Sequence, residues 1–300
     1  MGSGFEDMPG IGDTPCWHAD GFHGPWPAPA KLNLMLRIVG RRPDGYHELQ
    51  TVFQFIDRCD QLWFRVRNDA RIMRDGGPAG VPEGQDLTLR AARRLQAETG
   101  CPLGVDIRLD KRLPVGGGLG GGSSDAATAL VALNHLWGLT LEQETMAQIG
   151  LKLGADVPVF VRGRAAWGEG IGERLTPLDI PEPWYLVLAP ACSVSTAAVF
   201  ADPELTRHSA PITIADFLAG DVFNDCLAVV RRRHLPVAQA LDWLDRRVAG
   251  RLTGTGACVF AVMPSEAAAR RLLIECPGEF RGFVARGLNR SPLSVARGEC

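Results

Sequence analysis

Three features of the 300-residue sequence predict an α+β fold built from about two domains. Stretches with period-two alternation are mixed with stretches of helical spacing, and the regular strand–helix–strand repeat of a doubly wound parallel sheet is missing. The length corresponds to roughly two units of ~150 residues. The pattern is weakest where Pro177, Pro181 and Pro183 crowd together. This places a junction there and divides the chain into 26–178 and 179–300. Residues 1–25 are rich in Gly, Pro, His and Asp, show no period, and predict a disordered extension.

From Lys31 the chain alternates. Leu32, Leu34, Leu36 and Ile38 are expected on one face of a strand, with Lys31, Asn33 and Met35 on the other. The turn residues of RPDG, 42–45, separate it from a second strand at 49–56, and a third is expected at 61–67. Asp86 is placed to cap a helix ending before Gly100, and a strand follows through Val105, Ile107 and Leu109. Either Ser123 or Ser124 can cap the next helix, and Thr140 with Gln143 fits a capping box for another. Short strands are predicted at 165–167, 174–175 and 184–188. The second half reads as helices near 213–219, 223–233, 236–248 and 265–275, an apolar segment at 257–262, and a last strand near 282–288.

Composition excludes several function classes. Lys plus Arg number 32 and Asp plus Glu 34, so the formal charge of −2 offers no basic footprint for nucleic acid or an anionic membrane. The run Arg231, Arg232 and Arg233 reads as a solvated helix face. The eight cysteines are scattered without a CxxC pair, as in a reduced cytoplasmic protein. No apolar run is long enough to span a bilayer, and no secretory signal is visible. His18 and His23 read as solvated bystanders and not as metal ligands. The oligomeric state stays open between monomer and homodimer.

The chemistry concentrates in LPVGGGLGGGSSDAATALVALNHLW, residues 113–137, where glycine fills six of the seven positions from 116 to 122. Backbone without Cβ atoms can approach an anion closely, and the helix behind it adds unpaired N–H groups and partial positive charge. Together they form a phosphate cradle. Gly116, Gly118 and Gly121 also fit G-x-G-x-x-G. A dinucleotide site would need a βαβ unit with an acid about 20 residues on, and that region reads as helix. GxxxxGK[ST] is absent. A flexible linker or a tight packing turn is the remaining alternative for the loop.

Three further segments make the reading specific: PAPAKLNLMLRIVGRRPDGYHELQT at 27–51, GADVPVFVRG at 154–163 and LTGTGACVFA at 252–261. With the glycine loop they resemble the motif set of the GHMP kinase superfamily, from about Trp26 to Pro292. PAKLNL, DGYHEL and GADVP resemble the branch whose acceptor carries a cytosine, rather than the homoserine, mevalonate or galactose kinases. The resemblance implies a two-domain fold with ATP and a small-molecule hydroxyl acceptor meeting in the interdomain cleft. It implies Asp156 as the base that takes the acceptor proton, and Lys31 beside it orienting that hydroxyl. Asn33, Thr196 and the turn Gly254, Thr255 and Gly256 are implied on the substrate. Tyr46 and Phe200 would pack on the base, and His47 would bond its edge. Lys111, Pro114, Gly116, Gly117, Gly118, Leu119, Gly120, Gly121, Gly122, Ser123 and Ser124 are implied around ATP. A Mg²⁺ requirement follows from phosphoryl-transfer chemistry, with no protein ligand set visible. Asp86 stands where some relatives carry Asn near adenine, which puts its binding role in question. Cys258 reads as packing. Another GHMP kinase, or a catalytically dead binding protein of this fold, are the competing readings.

Overall fold

The computed structural model describes residues 14–76 and 81–296. In chain order the first elements are β1 (Cys16–Trp17), β2 (His23–Arg41), β3 (His47–Arg67), β4 (Ile72–Asp75), α1 (Leu87–Thr99), β5 (Gly104–Asp110), α2 (Gly121–Leu136), α3 (Gln143–Leu151) and α4 (Val157–Arg162). Then follow β6 (Ala166–Gly170), β7 (Arg174–Pro177), β8 (Trp184–Pro190), α5 (Thr196–Ala201), α6 (Ile214–Leu218), α7 (Leu227–Arg233) and α8 (Leu235–Asp245). The last are β9 (Arg251–Leu252), β10 (Val259–Met263), α9 (Glu266–Ile274), β11 (Phe280–Leu288) and α10 (Pro292–Ala296).

The strands join in one path, β1-β2-β3-β11-β8-β10-β9, with β5 and β6 also on β3, β4 on β5 and β7 on β6. Pairing is antiparallel apart from β4 with β5, which agrees with the α+β expectation. Three apolar clusters organise the molecule. The first lies between the β2, β3 and β5 surface and helices α1 to α4. The second packs α7, α8 and α9 on β8, β10 and β11. The third, with Leu32 and Met35 beside Tyr185, Val187 and Phe260, joins the two halves. The hairpin end of β2 reaches into the second cluster through Leu36 and Ile38, and Leu293 returns to the first. Segments from either side of the expected junction at 178 therefore share clusters.

Several expectations change. Residues 16–25, expected in the extension, are ordered. Cys16 and Trp17 pair with Gly24 and His23, and Phe22 is buried at 1% exposure. The guanidiniums of Arg65 and Arg108 lie 4.7 and 4.0 Å from the Phe22 ring centroid, which gives this segment a reason to dock. The earlier part of that extension, 1–13, lies outside the described residues.

The strands expected at 49–56 and 61–67 are one 21-residue strand, β3. A register shift between Asn33 and Met35 ends the simple alternation of β2. Past this bulge the faces exchange. Met35 joins Leu32 in the third cluster, whereas Leu36 joins Lys31 and Asn33 at the cavity described below.

Asp86 caps α1 as expected, accepting from the N–H groups of Thr88 and Leu89 at 2.9 and 3.4 Å, and Gly100 closes it at φ +65°. Neither Ser123 nor Ser124 caps α2. That position falls to Gly120, and both serines lie in the first turn. Thr140 does not cap α3; it takes φ +55°, and Glu142 precedes the helix. The segments at 157–162, 196–201 and 292–296 add short helices the periodicity was too brief to reveal. Arg231, Arg232 and Arg233 are exposed, as expected of a solvated face, and they also form ion pairs, Arg231 with Asp242 and Asp245 and the other two with Asp202.

Candidate active site

The glycine loop is held from behind by the second glycine turn. The N–H of Cys258 donates to Gly117 O at 3.0 Å, and that of Ala257 to Gly116 O at 3.2 Å. Gly118 sits at φ +74° with its carbonyl accepting from Thr253 Oγ1 at 3.3 Å. A Cβ there would overlap the Thr253 carbonyl oxygen and lie 2.9 Å from Gly256 O. Only glycine permits this apposition of two backbones. Asn224 fixes the second turn, donating to Leu252 O and Gly254 O at 3.0 and 2.9 Å. Cys258 packs against Gly117 with its thiol pushed up to about 12 by burial, consistent with packing and not with nucleophilic chemistry.

Between these loops, β2 and α2 lies a cavity of about 460 Å³. Lys31 is on its wall at 3% exposure, with Nζ 3.3 Å from Asp156 Oδ2. The same ammonium donates to Gly118 O at 3.0 Å and to Asn33 Oδ1. Asn33 is set in turn. Its N–H donates to Thr253 Oγ1 at 3.0 Å, and its amide donates to Thr51 Oγ1 at 2.8 Å. Asp156 precedes α4, whose first turn holds Pro158, and among the described residues its side chain makes no capping bond. Its carboxylate is 36% exposed and faces the cavity beside Lys31. A cation and a carboxylate 125 positions apart in the chain thus meet at the glycine loop.

Lys111 is also on the wall, gripped by Asp60 Oδ2 at 2.5 Å and Asp125 Oδ2 at 2.7 Å. Asp60 is fully buried and its other oxygen accepts from the N–H groups of Arg112 and Leu113 at 2.6 and 2.7 Å. Burial alone would lower Lys111, but the two carboxylates outweigh it and hold the ammonium above its ordinary value. Burial pushes Asp125 up to about 8 against the pull of Lys111, with Asp60 adding repulsion. Asp125 Oδ1 and Ser124 Oγ are buried with no hydrogen-bond partner among the described residues.

Most of the expected residues converge here. Pro114, Gly116, Gly117, Gly118, Leu119, Gly120, Gly121, Gly122 and Ser123 line the cavity, as do Thr196, Phe200, Gly254 and Thr255. Thr196 and Thr255 share a hydroxyl hydrogen bond of 2.9 Å. Gly256 lies behind the wall, in the second cluster's packing against Leu252 and Val230. Ser124 is fully buried and does not line the cavity, so its expected place at ATP is not available to its side chain.

Tyr46, expected to stack on a base, is 60% exposed and off the cavity wall. Its N–H closes a turn on Asp44 Oδ1 at 3.0 Å. His47 is also off the cavity wall, but its ring stacks at 4.9 Å and 27° on Phe200, which lines it. Asp86 borders the cavity, but Thr88, Leu89 and Arg74 already occupy its carboxylate.

Sequence reasoning missed Asp60, Thr51, Thr253 and Asn224. Asp60 had one signal: an acid inside the apolar alternation of β3 implies a buried partner. The others are ordinary polar residues whose role depends on contacts from distant strands.

The comparisons with known proteins agree with this geometry. The family model for the GHMP kinases N terminal domain matches residues 86–164, and that for GHMP kinases C terminal matches 213–277. The chain is 57% identical over 277 residues to the 4-diphosphocytidyl-2-C-methyl-D-erythritol kinase of Halorhodospira halophila, covering 91% of this chain and 96% of that one. It is 60% identical to the same-named kinase of Alkalilimnicola ehrlichii, covering 89% and 92%. Among solved structures, a 4-(cytidine 5'-diphospho)-2C-methyl-D-erythritol kinase superposes with a TM-score of 0.75 at 31% identity, over 87% of this chain and 98% of that one. A mevalonate kinase, at 16% identity and a TM-score of 0.62, shares the fold. With a Lys–Asp pair at a glycine loop, two matched GHMP domains and this degree of identity over nearly the whole relative, the chain belongs to the 4-diphosphocytidyl-2-C-methyl-D-erythritol kinases, ATP-dependent enzymes of the GHMP kinase family.

Proposed function

We propose that the chain transfers the γ-phosphoryl group of MgATP to the 2-hydroxyl of 4-diphosphocytidyl-2-C-methyl-D-erythritol, in the non-mevalonate route to isoprenoid precursors. The observation that carries this is the approach of Lys31 to Asp156, 3.3 Å, within a cavity walled by the glycine loop. Phosphoryl transfer asks the protein for positioning and charge, more than for covalent chemistry.

The Asp156 carboxylate takes the proton of the attacking hydroxyl as the new P–O bond forms. Two of the three N–H donors of Lys31 are committed to Asn33 and Gly118 O. The third can reach the acceptor oxygen or the transferring phosphoryl oxygens. Because Lys31 holds Gly118 O, the cation and the loop stay in register. The N–H groups of the loop and of the first turn of α2 offer the phosphates a cradle. Lys111 stands at its edge, its charge offset by Asp60. Thr196, Gly254 and Thr255 face the acceptor, and Phe200 with His47 forms its base end.

Mg²⁺ arrives as part of the MgATP substrate. Phosphate oxygens and water would supply most of its ligands, as is usual for Mg²⁺ on a nucleotide. No helix among the described residues is long and apolar enough to cross a membrane, and a cytoplasmic location fits the small charged substrates. Monomer and homodimer are both compatible with this site, which is built within one chain.

The test is ADP release from ATP with the cytidyl substrate against homoserine and mevalonate, with the product's phosphorylated position read by ³¹P NMR. Turnover restricted to the cytidyl substrate, with phosphate on the 2-oxygen, is expected. Equal or better turnover of homoserine or mevalonate overturns the assignment.

A further inference from the structure

The guanidinium of Arg207, in the segment after α5, links that segment to the start of β3. Its Nη2 donates to Phe200 O at 2.9 Å and Asp202 O at 2.7 Å, and its Nη1 to Leu205 O at 3.1 Å. These are carbonyls at and beyond the C-terminal end of α5, where a cation is favoured. Its Nε donates to His47 Nε2 at 3.2 Å, at the start of β3. One side chain thus fixes both members of the stacked pair, Phe200 and His47.

This contact also sets a tautomer. A guanidinium has only donors, so the His47 Nε2 it bonds must be the unprotonated nitrogen. The imidazole is then neutral with its proton on Nδ1. The charges facing it agree: burial, then Arg207 and Arg41, push His47 below its ordinary value. Among the described residues Arg207 forms no ion pair with a carboxylate, and Nδ1 of His47 is not one of the buried polar atoms left without a partner. Asp202, the acid near Arg207, is taken by Arg232 and Arg233.

We propose that Arg207 is a positioning residue for the base end of the acceptor, locking His47 as an Nδ1–H donor so that the site favours a base with an unprotonated ring nitrogen. This rests on the reading that the acceptor carries a cytosine at the His47 and Phe200 end. Cytosine N3 is an acceptor, whereas uracil N3 carries a proton and would face Nδ1–H donor to donor. A site arranged to hydrogen-bond one form rejects the other because buried polar groups are left unpaired.

The experiment compares kcat and KM for the cytidyl acceptor and its uridyl analogue, from pH 6 to 9, in the wild-type enzyme, Arg207→Gln and Arg207→Lys. Arg207→Gln is expected to raise KM for the cytidyl acceptor about tenfold or more with kcat little changed, and to reduce the cytidyl-over-uridyl preference by a similar factor. The acid limb of its pH profile moves upward, because His47 protonates more readily once the neighbouring cation is gone. Arg207→Lys keeps the charge without the fork and is expected not to restore the preference. An unchanged preference and pH profile, with only thermal stability lowered, overturns the proposal. Should both variants fail to fold, ¹⁵N NMR of the wild-type imidazoles decides: protonated Nδ1 at His47 is expected, and a protonated Nε2 overturns it. If the wild-type enzyme ignores the cytidyl acceptor, the failure belongs to the functional reading. If it uses that acceptor and the variants keep its preference, the failure belongs to Arg207.

Discussion

Lys31 Nζ stands 3.3 Å from Asp156 Oδ2 while bonding Gly118 O at 3.0 Å, so one ammonium touches both the carboxylate and the glycine loop. Substituting Asp156→Asn keeps the shape and removes the proton acceptor. Turnover is expected to fall by ~10²–10⁴-fold with KM for ATP little changed, as steady-state ADP release would show. Lys31→Met should lose a comparable factor and also disturb Asn33 and the loop. A fall of less than threefold in the Asp156 variant would remove the aspartate from the role of base.

The glycines of the loop are not equivalent. Gly118 combines φ +74° with a Cβ position that overlaps Thr253 O. Gly118→Ala must push the two glycine turns apart and carry the Lys31 contact with them. A rise in KM for ATP of at least tenfold and a lower Tm are expected. Gly122, in the first turn of α2, would place its Cβ 3.6 Å from Leu87 Cδ1, an ordinary contact. Gly122→Ala is expected to fold and bind ATP much as the wild-type chain does. Equal behaviour of the two variants, measured by melts and nucleotide titration, would contradict the docking of the loops.

Asp125 gives stability a pH dependence whose sign is fixed by its environment. Its carboxyl is raised in the folded state, to about 8 against 3.8 unfolded, burial being the largest cause. The folded chain therefore holds that proton more tightly. The resulting stabilisation is complete below the unfolded value and is lost as pH rises through the folded one. Asp125→Asn cannot ionise, so its Tm should exceed that of the wild-type chain more at pH 9 than at pH 5. Thermal melts at the two pH values check this, and an identical difference at both would show that the carboxyl is not held protonated.

The parts of the site carried by local sequence were legible, and those assembled by long-range pairing were not. The glycine run, its helix and the GADVP segment announce a phosphate cradle and an aspartate from a few adjacent residues each. The alternation at β2 correctly placed Lys31 and Asn33 on one face. It failed beyond Asn33, because a bulge depends on the partner strand and leaves no mark in the period. Asp60 and Asp125 converge on Lys111 only when β3, β5 and α2 are stacked. The DGYH motif names Tyr46, but no local signal says where its exposed ring lies relative to the cavity. The Ser123 and Ser124 cap was lost because the loop's own glycine, Gly120, occupies the capping position.

The seam between the halves yields a prediction that separates stability from catalysis. Gln54 is fully buried on β3, accepting from Tyr185 Oη at 2.5 Å and donating to Pro181 O at 2.9 Å. Neither Gln54 nor Tyr185 borders the active-site cavity. Tyr185→Phe strands the Gln54 carbonyl without its donor, and such an orphaned buried group costs about 1–3 kcal/mol. For a chain of this size that corresponds to a fall in Tm of at least roughly 2 °C. Gln54→Leu with Tyr185→Phe removes both partners, leaving only Pro181 O without its bond, so the double variant should lose less than the two single changes summed. Its kcat and KM should match the wild-type enzyme, because the glycine loop, Lys31 and Asp156 keep their supports. Strict additivity in urea unfolding of the four chains would show that the hydroxyl and the amide act independently.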